Sequence, residues 1–85
     1  MIIESMATRL NLPKDVVLGA SIMHITGQHE LYIENYKSII EYTDVMIKVQ
    51  ARTSKVYIYG KNLHIEYFNN DDMKISGRIK NIEFF

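Results

Sequence analysis

The stretch from Lys55 to Gly77 constrains the fold of this chain more strongly than any other. Its apolar residues recur at alternate positions within each run between turn signals: Val56 and Ile58, then Leu63, Ile65 and Tyr67, then Met73 and Ile75. A period of two is typical of a half-buried strand, because successive side chains of an extended backbone point to opposite faces. A helix would spread these residues around its circumference, so the stretch predicts β-structure.

The residues before this stretch add shorter strands separated by turn signals. We expect strands at residues 21–27, 31–34, 38–42 and 45–49. We expect Ile40 and Tyr42 to point inward from the third of these strands, and Val45, Ile47 and Val49 from the fourth. A last strand follows Gly77, and the three-residue spacing of Ile79 and Ile82 predicts a bulge in it.

These elements predict an all-β fold. Seven or eight short strands would form a small antiparallel meander, closed into a sandwich, a roll or a partly open barrel. Parallel pairing is not expected, since the connections are too short for crossovers. Residues 21–85 would make a single β domain, and residues 1–20, with Pro13, an N-terminal arm or short helix.

A weak internal repeat accompanies the strands. Ile25-Thr26-Gly27, Ile58-Tyr59-Gly60 and Ile75-Ser76-Gly77 each place a glycine after an isoleucine and one further residue, and Asp44 falls at the missing intermediate position. We therefore predict structural turns at Gly27, Gly60 and Gly77. Two interpretations stay open: glycine marks the turns of any meander, or the chain is a duplicated β-unit that can self-assemble.

The composition argues against several classes of protein. The chain has no cysteine, and its ten basic and ten acidic residues give a formal charge of zero. Because the basic residues are scattered, we expect no nucleic-acid partner. The apolar runs are only a few residues long, so we expect neither a direct membrane span nor a secretory signal peptide.

No grouping of residues points to catalysis or to a cofactor. His24, His29 and His64 lack the spacing of a zinc site, and the asparagine–aspartate cluster at residues 69–72 lacks the calcium-loop pattern and fits a hairpin turn. The strand glutamates are expected on the outer face as solvated charges: Glu34, Glu41, Glu66 and Glu83. We therefore expect no enzyme, no metal and no cofactor.

The aromatic residues suggest an interaction surface. The chain has six tyrosines and three phenylalanines, and aromatic residues are enriched at protein interfaces. The predicted protein-binding surface consists of Tyr32, Tyr57, Tyr59, Phe68 and Phe84. In the competing interpretation these residues are ordinary strand formers that a second layer covers.

The order of several motifs resembles the YabP/YqfC family of sporulation proteins, and its YqfC branch most of all. The motifs are the Leu12-Pro13-Lys14-Asp15 arm, the Tyr32-Ile33-Glu34-Asn35 segment and the Ile-x-Gly repeats described above. The resemblance covers about residues 10–84. It carries over no catalytic residue.

The resemblance implies a role and a place in the cell. The role would be a small protein-binding or scaffold module in spore envelope assembly, at the coat or cortex. The place would be the mother-cell cytoplasm, peripheral at the forespore membrane, with the membrane-anchored sporulation protein YqfD as partner. Two alternatives stay open: a small-molecule or metal-binding β domain, and a self-assembling structural subunit that forms homo-oligomers.

Overall fold

The computed structural model describes residues 19–85, which form one open antiparallel sheet of six strands. The strands are β1 (Ile22–Thr26), β2 (Glu30–Glu34), β3 (Ser38–Tyr42), β4 (Met46–Gln50), β5 (Lys55–Phe68) and β6 (Asp72–Phe84). Their spatial order is β1-β2-β6-β5-β4-β3. The predicted all-β class is confirmed, and the predicted arm at residues 1–20 lies outside the described residues except for Gly19 and Ala20.

The strand number is six rather than seven or eight because two expected reversals are absent. Lys61 and Asn62 do not turn the chain, so β5 runs through them for 14 residues. Asn62 has a positive φ of 52°, and the pairing register with β6 shifts around it. A left-handed residue with a register shift bends a strand instead of reversing it. In the same way β6 continues through Gly77 for 13 residues.

The sheet has two halves, and the long strands β5 and β6 run through both of them. In the first half, β2 pairs with residues 72–76 of β6, and β1 pairs with β2. In the second half, β4 pairs with residues 55–59 of β5, and β3 pairs with β4. The β5–β6 hairpin is paired along both halves, so the sheet divides into two parts connected through this hairpin.

One apolar core joins the two halves. Its fully buried side chains come from both of them: Leu31, Ile33, Met73 and Ile75 from the first half, and Ile47, Val49, Val56 and Ile58 from the second, with Leu63 beside the bend. A single flat sheet would leave one face in water. The halves therefore fold over each other around the bend of the β5–β6 hairpin.

Glycine permits the bend because the two strands approach very closely there. A Cβ atom on Gly77 would lie 2.5 Å from the carbonyl oxygen of Asn62 and 2.8 Å from the Cα atom of Leu63. Gly77 also has a φ of 134°, which only glycine adopts without strain. Gly60 faces the backbone of Arg78 in the same manner. Gly60 and Gly77 thus lie at bends within strands rather than at chain reversals, whereas Gly27 lies in the β1–β2 turn.

Two hairpin turns supply the acceptors that the bends need. The amides of Gly77 and Ile79 donate to the carbonyls of His29 (3.1 Å) and Gln28 (2.7 Å) in the β1–β2 turn. The amides of Gly60 and Leu63 donate to Val45 (3.0 Å) and Asp44 (2.7 Å) in the β3–β4 turn. The repeat seen in the sequence thus corresponds to two hairpin turns, and the carbonyls of each turn accept hydrogen bonds from the backbone amides of one bend.

Side-chain directions follow the alternation except where bulges interrupt it. Ile47 and Val49 are buried, as expected. Tyr42 pairs with the buried Ile47 on the core side but is 49% exposed, and Val45, in the β3–β4 turn, is also exposed. Ile40, which was expected to point inward, is exposed as well. A register shift between Ile39 and Glu41 leaves Ile40 unmatched, so Ile39 packs on the core instead. The bulge predicted from Ile79 and Ile82 is confirmed, because Lys80 has no partner between the Tyr59–Asn81 and Gly60–Ile79 pairs.

Replacing Gly77 with alanine should destabilise the fold strongly. The new Cβ would overlap the backbone of Asn62 and Leu63, and the φ of 134° would be strained. We expect a loss of about 2–5 kcal/mol in the free energy of unfolding, measured by urea denaturation.

Gly27→Ala is the matched control for that substitution. Gly27 also has a positive φ, but an added Cβ would find no atom closer than 3.9 Å. We expect a cost of about 1 kcal/mol there. Equal costs at the two positions would contradict the role of close strand approach at Gly77.

Candidate interaction surfaces

Each half of the sheet presents an outer face opposite to the core. On the first half, the side chains of His24, Tyr32, Lys74 and Tyr67 lie side by side as register partners on four strands. On the second half, Glu41, Lys48, Tyr57 and Glu83 form the corresponding row. We call these the first and second outer faces.

The second outer face carries a cluster of aromatic rings. The ring centroids of Tyr57 and Phe85 are 4.5 Å apart. The Nζ atom of Lys48 lies 4.7 Å from the centroid of the Tyr57 ring. Lys48 is also 3.6 Å from Glu41. Tyr59 lies two positions from Tyr57 on the same strand, which puts it on the same face. We call Tyr57, Tyr59 and Phe85 the aromatic cluster.

The first outer face is more polar, and its tyrosine is tied to a carboxylate. The hydroxyl of Tyr32 donates to Asp72 Oδ2 at 2.9 Å. This hydrogen bond raises the pKa of Tyr32 to about 12, since ionising the phenol would lose it and place two negative charges together. The centroid of the Tyr32 ring lies 6.5 Å from that of Tyr67 and 6.1 Å from that of His24.

A network of five polar residues joins β2, β5 and β6 on the first outer face. The Ser76 hydroxyl donates to Glu66 Oε1 at 2.7 Å and lies 2.9 Å from His64 Nε2. Lys74 reaches Glu30 at 3.3 Å and Glu66 at 3.5 Å. The Ser76 hydrogen bond, with the charge of Lys74, lowers the pKa of Glu66. The contact with Glu30 raises the pKa of Lys74.

The Ser76, His64 and Glu66 side chains do not have the connectivity of a catalytic triad. In a triad the carboxylate contacts the imidazole nitrogen that is distant from the serine. Here Glu66 contacts the serine hydroxyl itself, and the distant nitrogen, Nδ1, is 3.5 Å from the carbonyl of Asn62. All three residues lie on the open face of the sheet, so water competes for every contact. The geometry supports cross-strand bracing rather than activation of a nucleophile.

The structure divides the predicted binding surface between several places. Tyr57 and Tyr59 share the second outer face, while Tyr32 lies on the first. Phe68 and Phe84 pair in register with the buried residues Met73 and Val56, so they lie at strand ends on the core side. They are nevertheless 62% and 60% exposed. The five predicted residues therefore form no single patch.

Three residues have contacts that the alternation of the sequence did not predict. Tyr67 was counted as inward, but the register shift between Ile65 and Tyr67 turns it to the outer face. The ring of Phe85 contacts that of Tyr57 in a tilted arrangement, although Phe85 follows the last strand. Tyr36, assigned to a turn, is buried, and its hydroxyl donates to the carbonyl of Asn69. Burial also raises the pKa of Tyr36. The spacing of turn residues carries no signal for such a contact.

One small cavity lies where β1 approaches the end of β6. Its volume is about 50 Å³, and its lining includes Met23, Ile33, Val56 and Phe84. This volume is far below that of typical small-molecule pockets. Within residues 19–85 no three His, Cys, Asp or Glu side chains converge to hold a metal ion. The same part of the chain has no helix long and apolar enough to cross a membrane.

Comparison with known proteins identifies relatives of the chain. The model of the YabP family matches residues 18–85. The chain is also similar to a protein of Bacillus subtilis (strain 168) named "Uncharacterized protein YqfC", with 21% identity over 75 residues. That alignment covers 88% of this chain and 81% of the relative. No solved structure matches the chain significantly.

Replacing Ser76 with alanine should raise the pKa of Glu66. The hydroxyl is the main group that favours the ionised carboxylate. Because the folded pKa of Glu66 lies below its unfolded value, Glu66 stabilises the fold above that value. The contribution is lost as the pH falls through the folded pKa. We expect an NMR titration of the Glu66 carboxyl carbon to move to higher pH in S76A.

Asn81→Ala is the control for this titration. Asn81 donates to Glu83 on the second outer face and does not contact Glu66. We expect the titration of Glu66 to be unchanged in N81A. If S76A leaves the pKa of Glu66 unchanged, the hydrogen-bonded arrangement of the first outer face is contradicted.

Proposed function

This chain belongs to the YabP family, and we propose that it acts in sporulation as a non-enzymatic protein-binding module. Family membership and the likeness to YqfC fit a sporulation-related role. In the narrower proposal the chain is a scaffold for spore coat or cortex assembly. It works in the mother-cell cytoplasm, at the periphery of the forespore membrane, and its partner is the membrane-anchored sporulation protein YqfD.

The observation that carries the proposal of protein binding is the aromatic cluster on the second outer face. The Phe85 ring is exposed and lies tilted against Tyr57, and Tyr57 and Tyr59 are only half-buried. Tyrosine suits an interface because its ring gives a large apolar contact and its hydroxyl stays hydrogen-bonded. Lys48 beside Tyr57 adds a cation that a partner carboxylate or aromatic ring can contact.

The arrangement of the polar residues supports a role without catalysis. The best-connected polar group, around Ser76, lies on an open face where water screens its charges. The cavity beside Phe84, at about 50 Å³, is too small for a typical small-molecule substrate. A flat surface with projecting aromatic rings suits binding to a protein better than enclosing a small substrate.

The double substitution Tyr57→Ala with Tyr59→Ala should abolish capture of the partner. Both side chains point away from the core, so we expect the fold to persist with a loss of about 1 kcal/mol or less per site. Removal of two central tyrosines should weaken binding at least tenfold, since aromatic residues dominate interface energy. The measurement is co-purification with YqfD of the same organism from detergent, with the melting temperature recorded in parallel.

Tyr32→Ala with Tyr67→Ala is the matched control for that experiment. It also removes two tyrosines from an outer face, but from the first half of the sheet. We expect capture to persist in this variant. If the control abolishes capture and the Tyr57 and Tyr59 variant does not, the first outer face is the contact. If neither variant changes capture, aromatic recognition is the wrong mechanism.

A further inference from the structure

Within residues 19–85, four stretches of strand have a neighbouring strand on one side only. Two are the outermost strands, β1 and β3. The others are residues 64–68 of β5, beyond the reach of β4 and its turn, and residues 80–84 of β6, beyond the reach of β2 and its turn. An unpaired strand edge presents free amides and carbonyls to any other strand, so proteins usually obstruct such edges.

Three of these four edges contain a β-bulge. In β3 the residue without a partner is Ile40, in β5 it is Glu66, and in β6 it is Lys80. The β5 edge has a second obstruction, because the Ile65 amide already donates to the hydroxyl of Tyr42 at 2.9 Å. A bulge twists the edge and interrupts the regular ladder, which prevents another strand from adding to it.

β1 has none of these obstructions. Its five residues pair with β2 without any register shift. Its sequence, Ile-Met-His-Ile-Thr, contains no lysine, arginine, aspartate, glutamate, proline or glycine. Within residues 19–85 no strand pairs with its outer edge. Isoleucine and threonine also favour extended structure. β1 is therefore the open, regular edge of this sheet.

We propose that β1 pairs with β1 of a second copy of this chain, antiparallel and centred on His24. The sequence of β1 is self-complementary in this register. On the core side, Met23 faces Ile25 of the partner subunit, and Ile25 faces the partner's Met23. On the outer side, Ile22 and Thr26 make the corresponding crossed pairs. The two sheets then join into one continuous sheet, with a two-fold axis at His24.

The residues around β1 favour pairing with a second copy of the chain. Ile25 is an apolar side chain on the core side that is 54% exposed, and pairing with a second copy would cover it. Met23 lines the small cavity together with Phe84, which is also exposed. In the proposed register the partner's Ile25 lies beside Met23, next to this cavity. Apolar side chains thus meet on one side of the new pair, as in the rest of the sheet.

Pairing through β1 uses a different surface from the aromatic cluster. Pairing through β1 leaves Tyr57 and Tyr59 of both copies free, since they lie on the other half of the sheet. A dimer would offer two copies of the aromatic cluster to one partner assembly, which strengthens binding by multivalency. The failure of either proposal would leave the other intact, because each is tested by its own substitutions.

The test uses the full chain and two matched lysine substitutions. Ile25→Lys puts a charge in the centre of the proposed pair, and Val45→Lys puts the same charge in the β3–β4 turn. The two parent side chains are equally exposed, at 54% each. A five-residue strand pair is a small interface, so sedimentation velocity should extend to about 1 mM protein.

We expect a monomer–dimer equilibrium for the parent protein and for V45K, and a dissociation constant at least tenfold higher for I25K. An NMR sample that mixes labelled and unlabelled chains should show contacts between Met23 of one copy and Ile25 of the other. A parent that stays monomeric to the highest concentration would overturn the proposal, as would an I25K dimer of unchanged affinity. A monomer with protected β1 amides would also overturn it, because residues 1–18 or another part of the same chain would then occupy the edge.

Discussion

The close contact of Gly77 with Asn62 and Leu63 is the constraint on which the rest of the sheet depends. It allows two long strands to bend together, so that one hairpin serves both halves of the sheet. A chain of 85 residues buries little surface and has no disulfide to help it. By folding its sheet over a single apolar core, it buries residues from every strand except the outermost two. Glycine is therefore required at position 77 because no larger residue fits between the two strands, and not because the chain must be flexible there.

The sequence was sufficient to predict the β class, because alternation is a local property of extended backbone. It also revealed the bulge near Ile79, since a three-residue spacing is visible in one strand. It could not reveal whether Lys61 and Asn62 reverse or bend the chain. That choice depends on how closely β6 approaches β5 at Gly77. This approach is a contact between residues distant in sequence, so a local pattern does not reveal it.

The candidate surface was harder to predict for a related reason. A bulge moves every later side chain to the opposite face, so Tyr67 was assigned to the wrong side. Ile40 is itself the extra residue of a bulge, which alternation cannot reveal. The grouping of Ser76, His64 and Glu66 depends on the register between β5 and β6, which spacing alone does not determine. Only Tyr57 and Tyr59, in a regular part of β5, could be placed together correctly from alternation.

The same bulges that shape the sheet also decide which of its surfaces can bind. Three unpaired edges are irregular, and the first outer face is occupied by its own hydrogen bonds and ion pairs. The aromatic cluster and the β1 edge remain as regular, apolar surfaces. They lie on different halves of the sheet, so the proposed partner contact and the proposed β1 pairing use different residues.

Native-state hydrogen exchange in increasing urea tests most directly whether the bent hairpin couples the two halves. The relevant amides are those of buried residues in each half, such as Ile33 and Ile75 in the first and Ile47 and Ile58 in the second. We expect all four amides to exchange through one global opening, with the same free energy and the same dependence on urea. Separate opening of the two halves, with different free energies, would contradict it.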